Sequence, residues 1–385
     1  MSSWTLPAID TMAAEVAADL EALVAISSPS GDADGAEACL ALSAQRLPAT
    51  AAIERVACSS PGHAADLLAR IAGTGAGRIL LLGHVDTVVG HAEHRPLLRE
   101  EDMWRGSGAL DMKGGVAVSL ALARWLAERP ESFAEIGVLL VVDEEWRREP
   151  FAHVQRFAGY DACLCFEAGE RTQMGEEGVV VRRKAAGTIA VRGSGRAAHA
   201  GSNPDAGVNA LLALADAARF AAMLHEPRGA EALSVVPTRL NVGEAVNVVP
   251  ARGELMIDVR ANSEASFARV MRAVAQPGGA ASTDVELIRS WPAMETREST
   301  RELLAAASAR LGREIVGVGR GGASDASHFA GTIPLTVDGL GPRGGHAHSP
   351  AEYVRAPSLH ERTEVAMAIA GALLASPQGP AADRG

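Results

Sequence analysis

Ile79-Leu80-Leu81-Leu82 runs straight into Gly83-His84-Val85-Asp86-Thr87, and this junction decides the fold. A short unbroken apolar run reads as a strand buried on both faces. The pattern recurs twice: the apolar run 138–142 leads into Asp143-Glu144-Glu145, and the run 162–166 leads into Glu167. In open α/β sheets, ligands gather beyond the carboxyl ends of the strands. One histidine and several carboxylates delivered there point to a metal site. Helical apolar spacing lies upstream, at 9–24 and 36–47, with strands expected at 51–56, 66–71 and 78–83. Asp111-Met112-Lys113-Gly114-Gly115 opens a further helix that runs to about Glu128 and is ended by Pro130. Strands alternating with helices imply an α/β sheet, mostly parallel.

The pattern changes near Arg183. A strand is expected at 186–194, then a helix capped by Asn203 with Pro204 at its first position, running to about His225. Two strands follow, near 233–243 and 252–260, joined by a turn at 244–250. A helix at 263–275 and a strand at 284–290 complete a βαββαβ order, a ferredoxin-like module with an antiparallel sheet. Helix–strand alternation resumes at 301–311 and 335–337. The chain is therefore expected to hold a discontinuous larger α/β domain, 1–183 and 294–385, with the smaller domain 184–293 inserted in it. The tail after Ala375 is rich in Pro, Gly and Ala and is expected to be disordered.

With 385 residues the chain is too long for one compact core. A formal charge of −11 without a basic tract argues against nucleic acid and against an electrostatic hold on anionic membranes. No basic and apolar leader opens the sequence, and no window approaches the ~20 apolar residues of a membrane span. Cys39, Cys58, Cys163 and Cys165 show no metal-finger spacing, which fits a reducing cytoplasm.

His84 and Asp86 are two apart at a strand end, so both side chains point the same way. A metal-bound imidazole usually donates its other N–H to a carboxylate, a role open to Asp86. Alone, the pair also reads as a strand-end histidine beside a solvated acid. On its own Asp111 reads as a helix cap, and a carboxylate there can also be shared between two ions. Glu144 and Glu145 repel each other unless a cation is present, though the pair also reads as an ordinary solvated strand end. Glu167 repeats the pattern one strand later. His199 lies in a glycine-rich turn of the small module. His348 lies in Gly344-Gly345-His346-Ala347-His348-Ser349-Pro350-Ala351-Glu352, where His346 competes with it as a ligand.

Together GHVDT, SGALDMKGG, DEE, FEAGE, GRAAHAG, GGASDASHFA and HAHSPAEYV run in the order of the M20 family of metallopeptidases, which the chain resembles from about Leu23 to Val365. Within it the likeness is to glutamate carboxypeptidases of the carboxypeptidase G2 type. The resemblance implies a di-zinc exopeptidase-like catalytic domain and an inserted domain that dimerises and acts as a lid. It implies two Zn2+ per subunit, with Co2+ or Mn2+ as alternatives. Asp111 would bridge the ions, Glu145 and His348 would complete one site, and His84 and Glu167 the other. Glu144 would be the general acid/base, Asp86 the support of His84, and the Asp111–Met112 peptide bond would be cis. His199 would reach the oxyanion from the partner subunit. Asn247 and Arg260 would bind the substrate's carboxylate, though Arg260 also reads as a strand-end pair with Asp258. Gly322 and Ser324 would offer backbone N–H groups to the substrate.

The implied reaction is hydrolysis of an amide bond, releasing an amino acid such as glutamate from an N-acyl or peptide conjugate. The substrate is a small molecule or short peptide with a free carboxylate. One departure stands out: the family follows DEE with a small turn, whereas this chain has Trp146-Arg147-Arg148-Glu149-Pro150. Bulky, cationic residues there would favour an anionic or aromatic substrate, and they keep a deacylase or aminohydrolase acting on aryl amides or amines as the alternative. A catalytically silent binding protein would lack a ligand or the base, and none is missing. Gly317, Gly319 and Gly322 satisfy a dinucleotide-type glycine pattern, but no βαβ unit with a downstream acid surrounds them.

Overall fold

The computed structural model describes residues 9–275 and 280–375. The tail after Ala375, expected to be disordered, lies outside them. The described chain divides into two compact units, one comprising 9–182, 295–319 and 324–375, the other 183–294 and 320–323, apart from 276–279.

The larger unit is built on a six-stranded sheet in the order Ala52–Val56, Asp66–Ala72, Glu135–Val141, Arg78–His84, Ala162–Cys165, Leu335–Val337. The first two strands are antiparallel additions at one edge, and the remaining four run parallel. Their unbroken apolar runs are buried because helices Ile9–Val24, Gly114–Ala127 and Ala356–Ala375 pack into the same core. Register then places the chemistry. His84 pairs with Val141, and Leu82 pairs with Cys165. The chain therefore leaves the sheet at one edge as His84, as Asp143-Glu144-Glu145 and as Glu167.

A second small sheet brings two distant segments to that edge. Tyr353–Arg355 pairs antiparallel with Met103–Arg105, so Tyr353 faces Arg105 and Val354 faces Trp104. The residues just before one strand and just after the other are thereby neighbours: Glu352 meets the 106–111 loop, and His348 meets Asp111. The Asp111–Met112 peptide bond is cis. Gly115, in the first turn of the next helix, lies so close to the strand end that a Cβ there would stand 1.8 Å from the Phe166 carbonyl oxygen. Only glycine permits that approach.

The smaller unit has a four-stranded antiparallel sheet in the order Ser234–Val242, Arg252–Ala261, Ala185–Ser194, Ser282–Trp291. Helices Ala210–Met223 and Ala265–Val274 share a core with Ile189, Val191, Leu255, Ile257 and Val259 of its strands. This is the expected βαββαβ arrangement, with one correction. Asn203-Pro204 opens only a 3-10 turn, Pro204–Ala206. The helix starts after Asn209, whose side chain accepts hydrogen bonds from the N–H groups of Leu211 and Leu212. Arg196 and Val208 exchange two backbone hydrogen bonds of 2.9 Å, so the backbone is paired at Val208 and turns helical only beyond it. Strands Leu98–Glu100, Met103–Arg105, Glu177–Arg183 and Ile315–Arg320 were not anticipated. Each is too short or too interrupted by charge and glycine to form an apolar run. No described helix is long and apolar enough to cross a membrane.

Candidate metal centre

Six side chains of the larger unit converge at the strand ends. His84 Nε2 lies 3.3 Å from one oxygen of Asp111 and 3.7 Å from Glu167. His348 Nε2 lies 3.0 Å from the other oxygen of Asp111 and 3.4 Å from Glu145. Donor atoms within 4.8 Å of one another thus form two triads that share Asp111: His84–Asp111–Glu167 and Asp111–Glu145–His348. A third set, His84–Glu144–Glu145, places a Glu144 oxygen at the same spot. His346 belongs to none of these groups; its ring stands 5.9 Å from that of Tyr353.

Asp86 binds the strand ends together. It is buried, and one oxygen lies 3.3 Å from His84 Nδ1. The same carboxylate accepts from the backbone N–H groups of Glu144 and Glu145, both at 3.2 Å, and from Ser30 Oγ at 2.6 Å. One side chain therefore orients the imidazole and also fixes the backbone of the two glutamates. Ser30 comes from the polar turn after the first helix, which docks on this strand through Ser28 Oγ and the Val85 carbonyl, 2.7 Å apart.

Glu352 does for Asp111 what Asp86 does for the glutamates. Its buried carboxylate accepts from the N–H groups of Gly108 (2.8 Å), Leu110 (2.7 Å) and Asp111 (2.8 Å). Burial pushes its pKa up to about 7. The sequence offered one signal for this residue, an acid directly before the strand Tyr353–Arg355, but not its target some 240 residues away.

The electrostatics suit a pair of cations. Burial raises the pKa of Glu144 well above the ordinary value, and Asp325, Glu145 and Glu167 add to the effect. Burial also raises Glu145. Hydrogen bonds to Asp111 and then Glu145 push His348 up to about 11. Burial opposes protonation of His84, yet Asp111 and Asp86 outweigh it and hold its pKa well up. Carboxylates crowded around two imidazoles hold protons tightly, and bound cations supply the same compensation. Mixed oxygen and imidazole donors with no thiolate suit zinc, cobalt or manganese. The donor set fits two divalent ions.

The turn after the glutamates corrects the sequence reading. Arg147 is fully buried, with its guanidinium on Asp325 and Asp143, so it offers no charge to a substrate. Trp146 and Arg148 are exposed. Ser324 is buried as well: its Oγ accepts from the Ala326 N–H at 3.2 Å and lies 3.7 Å from Cys165 Sγ, so only its backbone remains available.

The other expected residues lie in the smaller unit. His199 is exposed, and its Nδ1 accepts from the N–H groups of Gly201 and Ser202, both at 3.1 Å. The proton of the neutral ring is thereby left on Nε2. The Asn247 carbonyl accepts from the Ala200 N–H at 2.9 Å, which places Asn247 beside the histidine turn. Arg260 takes the alternative the sequence left open, with Nε and Nη2 both 3.0 Å from Asp258. The carbonyl of Gly322 accepts from Arg183 at 2.8 Å.

The profile of Peptidase family M20/M25/M40 matches residues 80–372. Carboxypeptidase G2 from Pseudomonas sp. (strain RS-16) is 30% identical over 367 residues, covering 90% of this chain and 86% of that protein. Succinyl-diaminopimelate desuccinylase from Methylorubrum extorquens (strain PA1) is 31% identical over 382 residues, covering 90% and 95%. Among solved structures, a Bacillus subtilis protein described as a dinuclear metal-binding peptidase of the M20 family superposes with a TM-score of 0.69 at 15% identity, over 95% of this chain and 99% of that one. The chain belongs to peptidase family M20/M25/M40. The family is one of metal-dependent peptidases and amidohydrolases.

Proposed function

We propose that the protein is a di-zinc amidohydrolase that releases an amino acid, glutamate first among the candidates, from an N-acyl or peptide conjugate. The observation that carries this reading is the sharing of Asp111: its two oxygens face His84 at 3.3 Å and His348 at 3.0 Å, as a bridging carboxylate would. Asp111, Glu145 and His348 would hold one ion, and Asp111, His84 and Glu167 the other. Two zinc ions bound there would polarise the scissile carbonyl and acidify the attacking water.

The chain's own groups supply the rest. Glu144, buried and with a raised affinity for protons, takes the proton of the attacking water and passes it to the leaving amine. Asp86 keeps His84 oriented and holds the Glu144 and Glu145 backbone in place. His199 offers an Nε2–H to the developing oxyanion, donated by the partner subunit in a homodimer. The dimer is supported by Leu212, Phe220 and Met223, exposed on helix Ala210–Met223, and by Val236 and Leu240, exposed on edge strand Ser234–Val242. Arg260 and Asn247 would take the substrate's carboxylate, with Arg260 held ready by Asp258. The relatives' names fit this chemistry, since a carboxypeptidase and a desuccinylase both cleave amide bonds.

A second reading concerns the acyl side. Trp146, 64% exposed, follows Glu145 directly and favours an aryl amide substrate.

Zinc-loaded protein assayed on N-acyl-glutamates, other N-acyl amino acids, and aryl amides and amines tests both readings. Turnover of N-acyl-glutamates, lost by at least ~100-fold in Glu144→Gln, is expected. Glu144→Gln activity equal to wild type would sink the mechanism. Turnover of aryl amides or amines alone would transfer the assignment to the second reading.

A further inference from the structure

The turn that carries the two glutamates rests on a buried ion triad. The Arg147 guanidinium forms a two-pronged contact with Asp325, at 2.6 and 2.8 Å, while its Nε lies 3.2 Å from Asp143. None of the three is more than 4% exposed. The Phe151 ring covers the guanidinium, 4.5 Å from its carbon. The backbone closes over the same atoms, since the Arg147 N–H donates to the Asp143 carbonyl at 2.9 Å. Asp143 is tied in turn to the Ser60 N–H at 3.0 Å, and Asp66 holds the Val142 N–H at 3.0 Å. Glu144 and Glu145 are thus gripped on one side by Asp86 and anchored on the other through Arg147.

We propose that Arg147 is a positioning residue of the reaction: its fork onto Asp325 fixes the 143–147 turn, so that Glu144 and Glu145 keep their places beside His84 and His348. The inference rests on the metal-site reading above and adds a residue to it. A planar fork meets both oxygens of a carboxylate at once, which sets the direction of the turn as well as its position. A lysine keeps the charge but makes a point contact, so the turn gains freedom to rotate. A catalytic group displaced by about 1 Å can lose ~100-fold in rate. A stability role alone is the weaker explanation, because buried ion pairs often add little net stability over apolar residues of similar volume.

The test compares Arg147→Lys with Arg148→Ala, a change at the exposed neighbour, in full-length zinc- and cobalt-loaded protein. Arg147→Lys is expected to lower kcat by ~100-fold with KM changed less than ~3-fold, per folded and metal-loaded molecule. It is also expected to weaken metal affinity by about 10-fold and to alter the visible spectrum of the cobalt form, which reports the geometry at Glu145 without any substrate. Arg148→Ala should match wild type in all three. Asp325→Asn should reproduce the effect, and the double variant should be little worse than either single one. If Arg147→Lys does not fold, Asp325→Asn carries the same readouts. An unchanged cobalt spectrum, with kcat per folded molecule equal to wild type, overturns the proposal. If wild type turns over none of the substrates yet binds cobalt, the functional reading fails and the spectrum still decides the role of Arg147.

Discussion

Replacing Glu352 with glutamine should loosen the loop that presents Asp111. The carboxylate accepts three backbone N–H groups, with one oxygen on Leu110 and Asp111 and the other on Gly108. Glutamine has one acceptor oxygen, so one side of the cradle must face an NH2 group and leave a buried N–H unpaired. Hydrogen bonds to a charged acceptor contribute about 1.5–3 kcal/mol each, and a lost partner adds the cost of the orphaned group. Because the amide still serves two of the donors, a net loss of about 2–4 kcal/mol is expected for the loop. At 1.36 kcal/mol per tenfold, the amides of Gly108, Leu110 and Asp111 should exchange hydrogen ~30- to 1000-fold faster. Hydrogen exchange on peptides spanning 106–112, at pH 8 where the wild-type carboxylate is ionised, reads this directly. Metal affinity should fall with it, by ~10- to 100-fold. Protection within threefold of wild type, with metal affinity unchanged, would refute the idea that Glu352 shapes the Asp111 loop.

Two further outcomes follow from buried charges away from the donor atoms. Glu177 is 1% exposed and accepts from Arg171, Arg343 and the fully buried Arg362. Glu177→Gln leaves guanidinium charge buried beside a neutral partner and should cost about 3–5 kcal/mol in urea unfolding. It should also disturb the His348 loop, since Arg343 lies five positions before it. His328, stacked on Phe151 at 5.0 Å, has its pKa lowered to about 3, first by burial and then by Arg147. The unfolded chain therefore binds a proton that the folded one refuses, between about pH 6.5 and 3. This contribution is fully present above pH 6.5 and shrinks as pH falls through the window, by at most about 5 kcal/mol. His328→Phe should flatten that acid limb; thermal melts from pH 7 to 4 that shift equally in both proteins would dismiss it.

What the sequence disclosed, and what it withheld, follows from the range of the interactions. Apolar runs ending in His84, Glu145 and Glu167 are local signals, and parallel pairing leaves such ends side by side. The strands of the smaller unit were readable for the same reason. The start of its first helix was not, because two asparagines each resemble a cap and the backbone pairing of Arg196 with Val208 chooses between them. Arg147 was misread because charge in a turn suggests solvent, and nothing local shows that Asp143 and Asp325 enclose it. Glu352 and Ser30 were missed as site residues because their partners lie 241 and 56 positions away, on segments that only the folded chain brings together. Arg260 was readable only as two alternatives, since Asp258 two residues earlier on the same strand face satisfies it as well as a substrate would.

The central claim, that Asp111 joins two metal positions, is open to one direct measurement. Crystals of the zinc-loaded protein, measured at the zinc absorption edge, should show two anomalous peaks about 3.5–4 Å apart. One peak should touch His84 and Glu167, the other Glu145 and His348, with an oxygen of Asp111 on each. A single peak, or two peaks of which Asp111 touches only one, would mean that the shared carboxylate is not a bridge.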